Sequence, residues 1–191
     1  MTLEGVAQGA LHWPVFQERW HEFFLMAGTA AVTLAGLLFV AISLHVETLI
    51  HESRVHLLAL ARAILLSYVM VLTFSLMMLV PAQAMGPVAA EMIVVSAVFF
   101  VITVRQLRAG PRVDHPDFPI GLFRRRLLPT LIGYGMVALT GVSILVLRTP
   151  ELFYLVIGAF CMLLGNATGA SWDLLVRTAK MRRRLEEPPA R

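Results

Sequence analysis

Charge vanishes from this chain over long stretches. Phe23 to Leu44, Ala63 to Ala90, Leu127 to Leu147 and Leu152 to Trp172 contain no Asp, Glu, Lys, Arg or His, and Pro87 to Val104 contains only Glu91. A helix crossing the hydrocarbon core of a bilayer needs about 20 apolar residues at 1.5 Å rise each. Four of these segments, 21 to 28 residues long, meet that need unaided. The fifth does so only if Glu91 lies within the span or at its edge, because the uncharged remainder, Met92 to Val104, is thirteen residues. The expected fold is therefore an all-α polytopic membrane helical bundle of five transmembrane helices, at about 23–45, 57–80, 87–104, 127–147 and 152–172. Residues 1–22 precede it as an outer interfacial segment, and 177–191 follow it as a basic tail.

Charge bias orients these spans. Lys and Arg close to span ends stay on the cytoplasmic side. With the N-terminus outside and the C-terminus inside, fourteen of the sixteen basic side chains fall inside and only Arg19 and Arg148 stay out. A four-span alternative with the N-terminus inside scores thirteen against three. It leaves the Val-, Ile- and Phe-rich run from Val88 to Val104 outside the hydrocarbon, so five spans are preferred.

The N-terminal segment carries Trp13, Pro14, Phe16 and Trp20, the composition of an interfacial aromatic belt, and is expected to form a short helix on the outer surface. It also holds Glu4, Glu18 and Glu22 without a basic n-region, unlike a cleaved signal peptide. The longest connection, Arg105 to Arg126, contains Gly110, Pro111, Pro116, Pro119 and Gly121 and is expected to be irregular.

Small residues recur at helical spacing along the spans. Thr29, Thr33, Gly36 and Ser43 make one stripe on the first, and Ala27, Ala31 and Ala35 make a second. Thr130, Tyr134, Ala138 and Gly141 line one face of the fourth, and Gly158, Gly165 and Gly169 one face of the fifth. Small residues let helix backbones approach in lipid, where apolar surface alone gives no preference for a neighbouring helix. Such stripes fit packing within the bundle or between copies.

Ionisable or strongly polar groups at membrane depth are functional candidates. Arg62 and Asp173 share the inner leaflet in this topology and could pair, with Asn166 two turns from Asp173 on the same face. Glu91 is placed at the outer interface, where a buried carboxylate could otherwise hold a cation or a proton. His45, Glu52 and His56 would converge on a straight helix as weak metal ligands, but the chain must reverse direction there.

The composition, 58% apolar and 15% charged, departs from the roughly 25% charge of soluble domains. A pI near 10 is explained by basic span ends: Arg124, Arg125, Arg126, Arg182, Arg183 and Arg184 suit anionic lipid headgroups rather than nucleic acid. The single cysteine, Cys161, excludes an intrachain disulfide. No phosphate loop, nucleophile elbow or two-His zinc motif is present, and no cofactor is expected.

Trp20, His21, Glu22, Phe23 and Phe24, followed by Gly36 to Leu44, resemble the opening of a group of small uncharacterised bacterial multi-pass membrane proteins, and Asn166 to Leu175 is loosely similar to their close. The resemblance implies a multi-pass protein of the bacterial inner membrane and carries no activity. Fifteen arginines against one lysine fit a GC-rich bacterial genome. The expected role is non-enzymatic: an accessory, regulatory or self-assembling subunit acting through helix contacts, as a homo-oligomer or within a larger complex. The alternatives are a small channel or carrier, with Thr29, Thr33 and Ser43 lining its path, and, behind it, a lipid-active enzyme or a metal- or haem-binding protein.

Overall fold

A computed structural model of the chain describes residues 3–44, 55–109, 120–148 and 151–186, and among them there is no strand. Five long helices carry the fold: α1 (Leu3–Leu44), α2 (Val55–Met78), α3 (Met85–Ala109), α4 (Ile120–Leu147) and α5 (Tyr154–Glu186). A 3-10 turn, Glu151–Phe153, leads into α5. Each long helix contains a stretch long and apolar enough to cross a membrane.

The helix ends have local causes. After Met78 the amides of Leu79 and Val80 reach back to the carbonyls of Leu76 and Met77, tightening the last turn. Ala82 then adopts φ 56° to complete the reversal into α3. Arg148 closes α4 in the same left-handed region, φ 57°, its amide donating to the Ile144 carbonyl.

α1 departs from expectation. Rather than a short surface helix followed by a span, residues 3–44 form one continuous helix of 42 residues that runs through Pro14. At 1.5 Å per residue it is about 63 Å long, beyond the roughly 45 Å of a whole bilayer. Proline removes one backbone bond and crowds the preceding turn. Packing on both sides of that turn offsets the cost: Trp13 and Trp20 are buried where a belt residue would face the interface.

α2 is the central helix. α1, α3 and α5 pack on it, α4 packs between α3 and α5, and α1 lies outside this four-helix group against α2 and α5. Close approach depends on small residues at particular points. A Cβ on Gly141 would come within 2.9 Å of the Ala89 carbonyl and of the Met92 Cβ, so α3 and α4 touch nearly backbone to backbone there. On Gly28 a Cβ would meet the Ser75 Cβ at 3.0 Å, which sets the α1–α2 distance.

The core is split by depth. α1 ends and α2 begins at one end, as α3 ends and α4 begins, here called the basic end, and residues 79–84 and Glu151–Phe153 lie at the other, the aromatic end. Phe24, Phe74, Phe153 and Phe160 fill the aromatic half, and Leu60, Ile64, Tyr68 and Leu174 the basic half. The outward surface is also apolar. Met26, Leu37, Phe39, Leu44, Val146 and Trp172 are all more than half exposed.

Candidate functional site

Three features could carry a function, and they differ in what they use. At the aromatic end, the N-terminal part of α1 is clasped by rings. Trp20 meets Phe153 edge-on at 4.8 Å between centroids, and Phe16 meets the same ring at 5.1 Å. The Trp13 indole donates to the Gln83 carbonyl at 2.9 Å. One helix thus holds both connections at this end, with the charged residues Glu18, Arg19 and Glu22 exposed on its other side. Gln83 in turn donates from Nε2 to the half-buried Glu91 carboxylate at 3.4 Å.

In the basic half, polar side chains from four helices gather inside the apolar bundle. Asn166 on α5 donates to Thr130 on α4 at 3.1 Å. Ser67 on α2 and Thr103 on α3 lie beside the hydroxyl of Tyr134, one turn beyond Thr130. Ser67, Thr103, Thr130 and Tyr134 are each at most 3% exposed. A narrow cleft opens next to them, with Ser67, Thr130 and Asn166 among its lining residues. Tyr68 adds a cross-helix contact toward the same end, its hydroxyl 3.3 Å from Ser171 and 3.4 Å from Thr168.

The third feature faces outward. Thr29, Thr33 and Ser43 are exposed, and each hydroxyl donates to the carbonyl four residues earlier in its own helix. Gly36 between them has nothing within 4 Å of a would-be Cβ. Among the described residues this stripe is exposed along its length. The parallel alanine row is not, since Ala27 and Ala31 are buried beside Phe24.

The remaining expected positions divide similarly. Gly141 is packed, as described. Gly158 is exposed but would bring a Cβ to 3.1 Å from the Met136 Cε, Gly169 is half-buried, and Gly165 is exposed with open space around it. The GxxxG of α5 is therefore not a contact within this bundle at Gly165. Arg62 is exposed and Asp173 half-buried. Asn166 reaches across helices to donate to Thr130.

His45 and Glu52 lie outside the described residues, as does the placement of the His56 side chain. The same holds for the side chains of Arg124, Arg125, Arg126, Arg182, Arg183 and Arg184, whose backbones belong to α4 and α5. Among the described residues no three His, Cys, Asp or Glu side chains converge on a point.

The grouping of Ser67, Thr103 and Tyr134 was not singled out from sequence. A lone hydroxyl in an apolar helix ordinarily bonds the preceding turn, as Ser96 does to Met92 at 2.6 Å. A usable signal exists: all three fall in the basic half of their helices, at depths set by the charge-free boundaries.

Compared with known proteins, the chain matches no family model, no curated protein and no solved structure.

Proposed function

We propose that the chain is a non-enzymatic integral membrane subunit of the bacterial inner membrane that works by assembling through the outward face of α1. It crosses the bilayer five times, with its N-terminus outside and its basic end in the cytoplasm. Two properties support the membrane setting. The bundle's outer surface is apolar on every helix, more than water tolerates on a monomer, and the basic residues gather at one end, as cytoplasmic loops require. The Arg124–Arg126 and Arg182–Arg184 clusters then sit at the level of anionic headgroups.

The observation that carries the assembly role is the row Thr29, Thr33, Gly36 and Ser43, small and exposed among the described residues. Its hydroxyls are already bonded to their own helix, so the row presents little polarity and little bulk. That combination lets a second α1 approach closely. The partner is a further copy of the chain or a helix of a larger complex.

The test is cross-linking in native membrane. With Cys161→Ser as background, Gly36→Cys is expected to form a disulfide-linked dimer on mild oxidation, and a cysteine on the buried row at Ala31 is not. Monomer throughout, in membrane and in every mild detergent, removes the reading. Tags at Met1 and Arg191 test the topology separately: accessibility of both from one side excludes five crossings.

A further inference from the structure

We propose that the cleft between α2, α4 and α5 binds one water molecule, held by Ser67, Thr130 and Asn166, and that this water completes the hydrogen bonding of the buried hydroxyls behind it. The cleft begins at the level of Leu60 and Leu127 near the basic end. Ser67 lies seven residues further along α2 than Leu60, about 10 Å of helix. Among the described residues its walls are otherwise apolar, and its polar lining consists of those three side chains. The free space suits about one water.

A bound water needs two to four polar partners, and the cleft offers them in usable form. The Ser67 hydroxyl donates to the Ala63 carbonyl at 3.3 Å, which leaves its lone pairs free to accept. Thr130 Oγ1 accepts from Asn166 and keeps its own proton to give. A water between them accepts from Thr130 and donates to Ser67. It thereby ties α2 to α4 and, through Asn166, to α5.

The second, independent sign is Tyr134. Its ring is 1% exposed, and its hydroxyl lies beside Ser67 and Thr103 without a well-formed hydrogen bond to either. A buried hydroxyl whose hydrogen bonds are poorly formed is costly, the more so away from water. Ser67 borders both places: its oxygen accepts from the water on the cleft side and from Tyr134 on the other after a small hydroxyl reorientation. The two sets of groups then form one network crossing the basic half of the bundle.

Charge decides against an ion. Ser67, Thr103, Thr130, Tyr134 and Asn166 are all neutral, and among the described residues no carboxylate lines the cleft. A cation stripped of its hydration there has nothing to compensate its charge. The occupant is neutral, and the space selects water over any larger solute.

Crystals of the wild-type chain grown from a lipid mesophase, in sodium buffer and in choline buffer, test this directly. One discrete density within hydrogen-bond distance of Ser67 and Thr130 in both buffers is expected. An empty cleft, or density present only with sodium, overturns the proposal. Melting curves in nanodiscs give a second reading from Ser67→Ala, Thr130→Val and the double variant. Each single variant is expected to melt several degrees lower and the double variant to lose less than the sum, because either change alone releases the water. Additive shifts, or Ser67→Ala melting above wild type, overturn it.

Discussion

The indole of Trp13 and the carbonyl of Gln83, seventy positions apart in sequence, share a 2.9 Å hydrogen bond that fixes the start of the first helix to the turn between the second and third. Trp13 also stacks on Phe16 at 5.5 Å between centroids, so it contributes both a directional bond and buried area. Separating the two gives a graded outcome. Trp13→Phe loses the bond, about 1 kcal/mol, whereas Trp13→Ala also loses the ring, about 3–5 kcal/mol in total. At roughly 2–4 °C per kcal/mol for a chain of this size, the two variants separate clearly in a thermal melt in nanodiscs. Equal melting temperatures for the two would show that the ring itself contributes nothing.

Gly141 is where the third and fourth helices come closest. A methyl there would press on the Ala89 carbonyl and the Met92 Cβ, both at 2.9 Å, and neither is the end of a flexible side chain. Gly141→Ala gains up to about 1 kcal/mol in helix propensity and incurs about 1–3 kcal/mol of overpacking. The variant is expected to be net destabilised. Gly133→Ala is milder, because at 2.9 Å it meets the Leu163 side chain rather than backbone, the nearest carbonyl, that of Ala159, being 3.5 Å away. Unfolding temperatures of the two variants, measured side by side, check the order.

The five helices were legible because lipid-length, charge-free runs admit few other readings, and the boundaries of α2 and α4 at the aromatic end follow from Pro81 and Arg148. The continuity of α1 was not legible. Pro14 signals a break, and Trp13, Phe16 and Trp20 form a plausible interfacial belt until Phe153 and Gln83, distant in sequence, are brought against them. The packing face of α1 was ambiguous for a different reason. Both Ala27–Ala31 and Thr29–Thr33 are small enough, and the choice falls to the first row because Phe24 and Gly28 on the same side fit Phe74 and Ser75. The Thr130–Asn166 bond combines two residues each visible alone, but their pairing depends on the relative depth of α4 and α5, which span lengths fix only to within a turn.

Ala82 adopts φ 56° in the turn after α2, a conformation that disfavours a residue with a Cβ. Glycine removes that cost, about 1–2 kcal/mol, and adds freedom to the unfolded chain worth about 0.4–1 kcal/mol in the opposite sense. Ala82→Gly is expected to stabilise by up to about 1 kcal/mol, seen as a melt a few degrees higher. A lower melting temperature would mean that the Ala82 methyl makes a contact outweighing the backbone strain.

Gly36 separates folding from assembly. Nothing lies within 4 Å of its would-be side chain, so Gly36→Leu leaves the single bundle intact and raises its helix propensity by nearly 1 kcal/mol. If α1 pairs with a second copy through the Thr29–Gly36–Ser43 face, the same leucine holds the two backbones apart at their closest point. The expected result is a chain that melts no lower in monomeric form yet shifts from oligomer to monomer by native mass measurement. Val32→Leu, on an exposed neighbouring position, serves as the milder control, since it adds a single methylene beside the small row where Gly36→Leu adds a whole side chain. Should Gly36→Leu retain the wild-type mass distribution while Val32→Leu loses it, the contact lies on a different strip of α1.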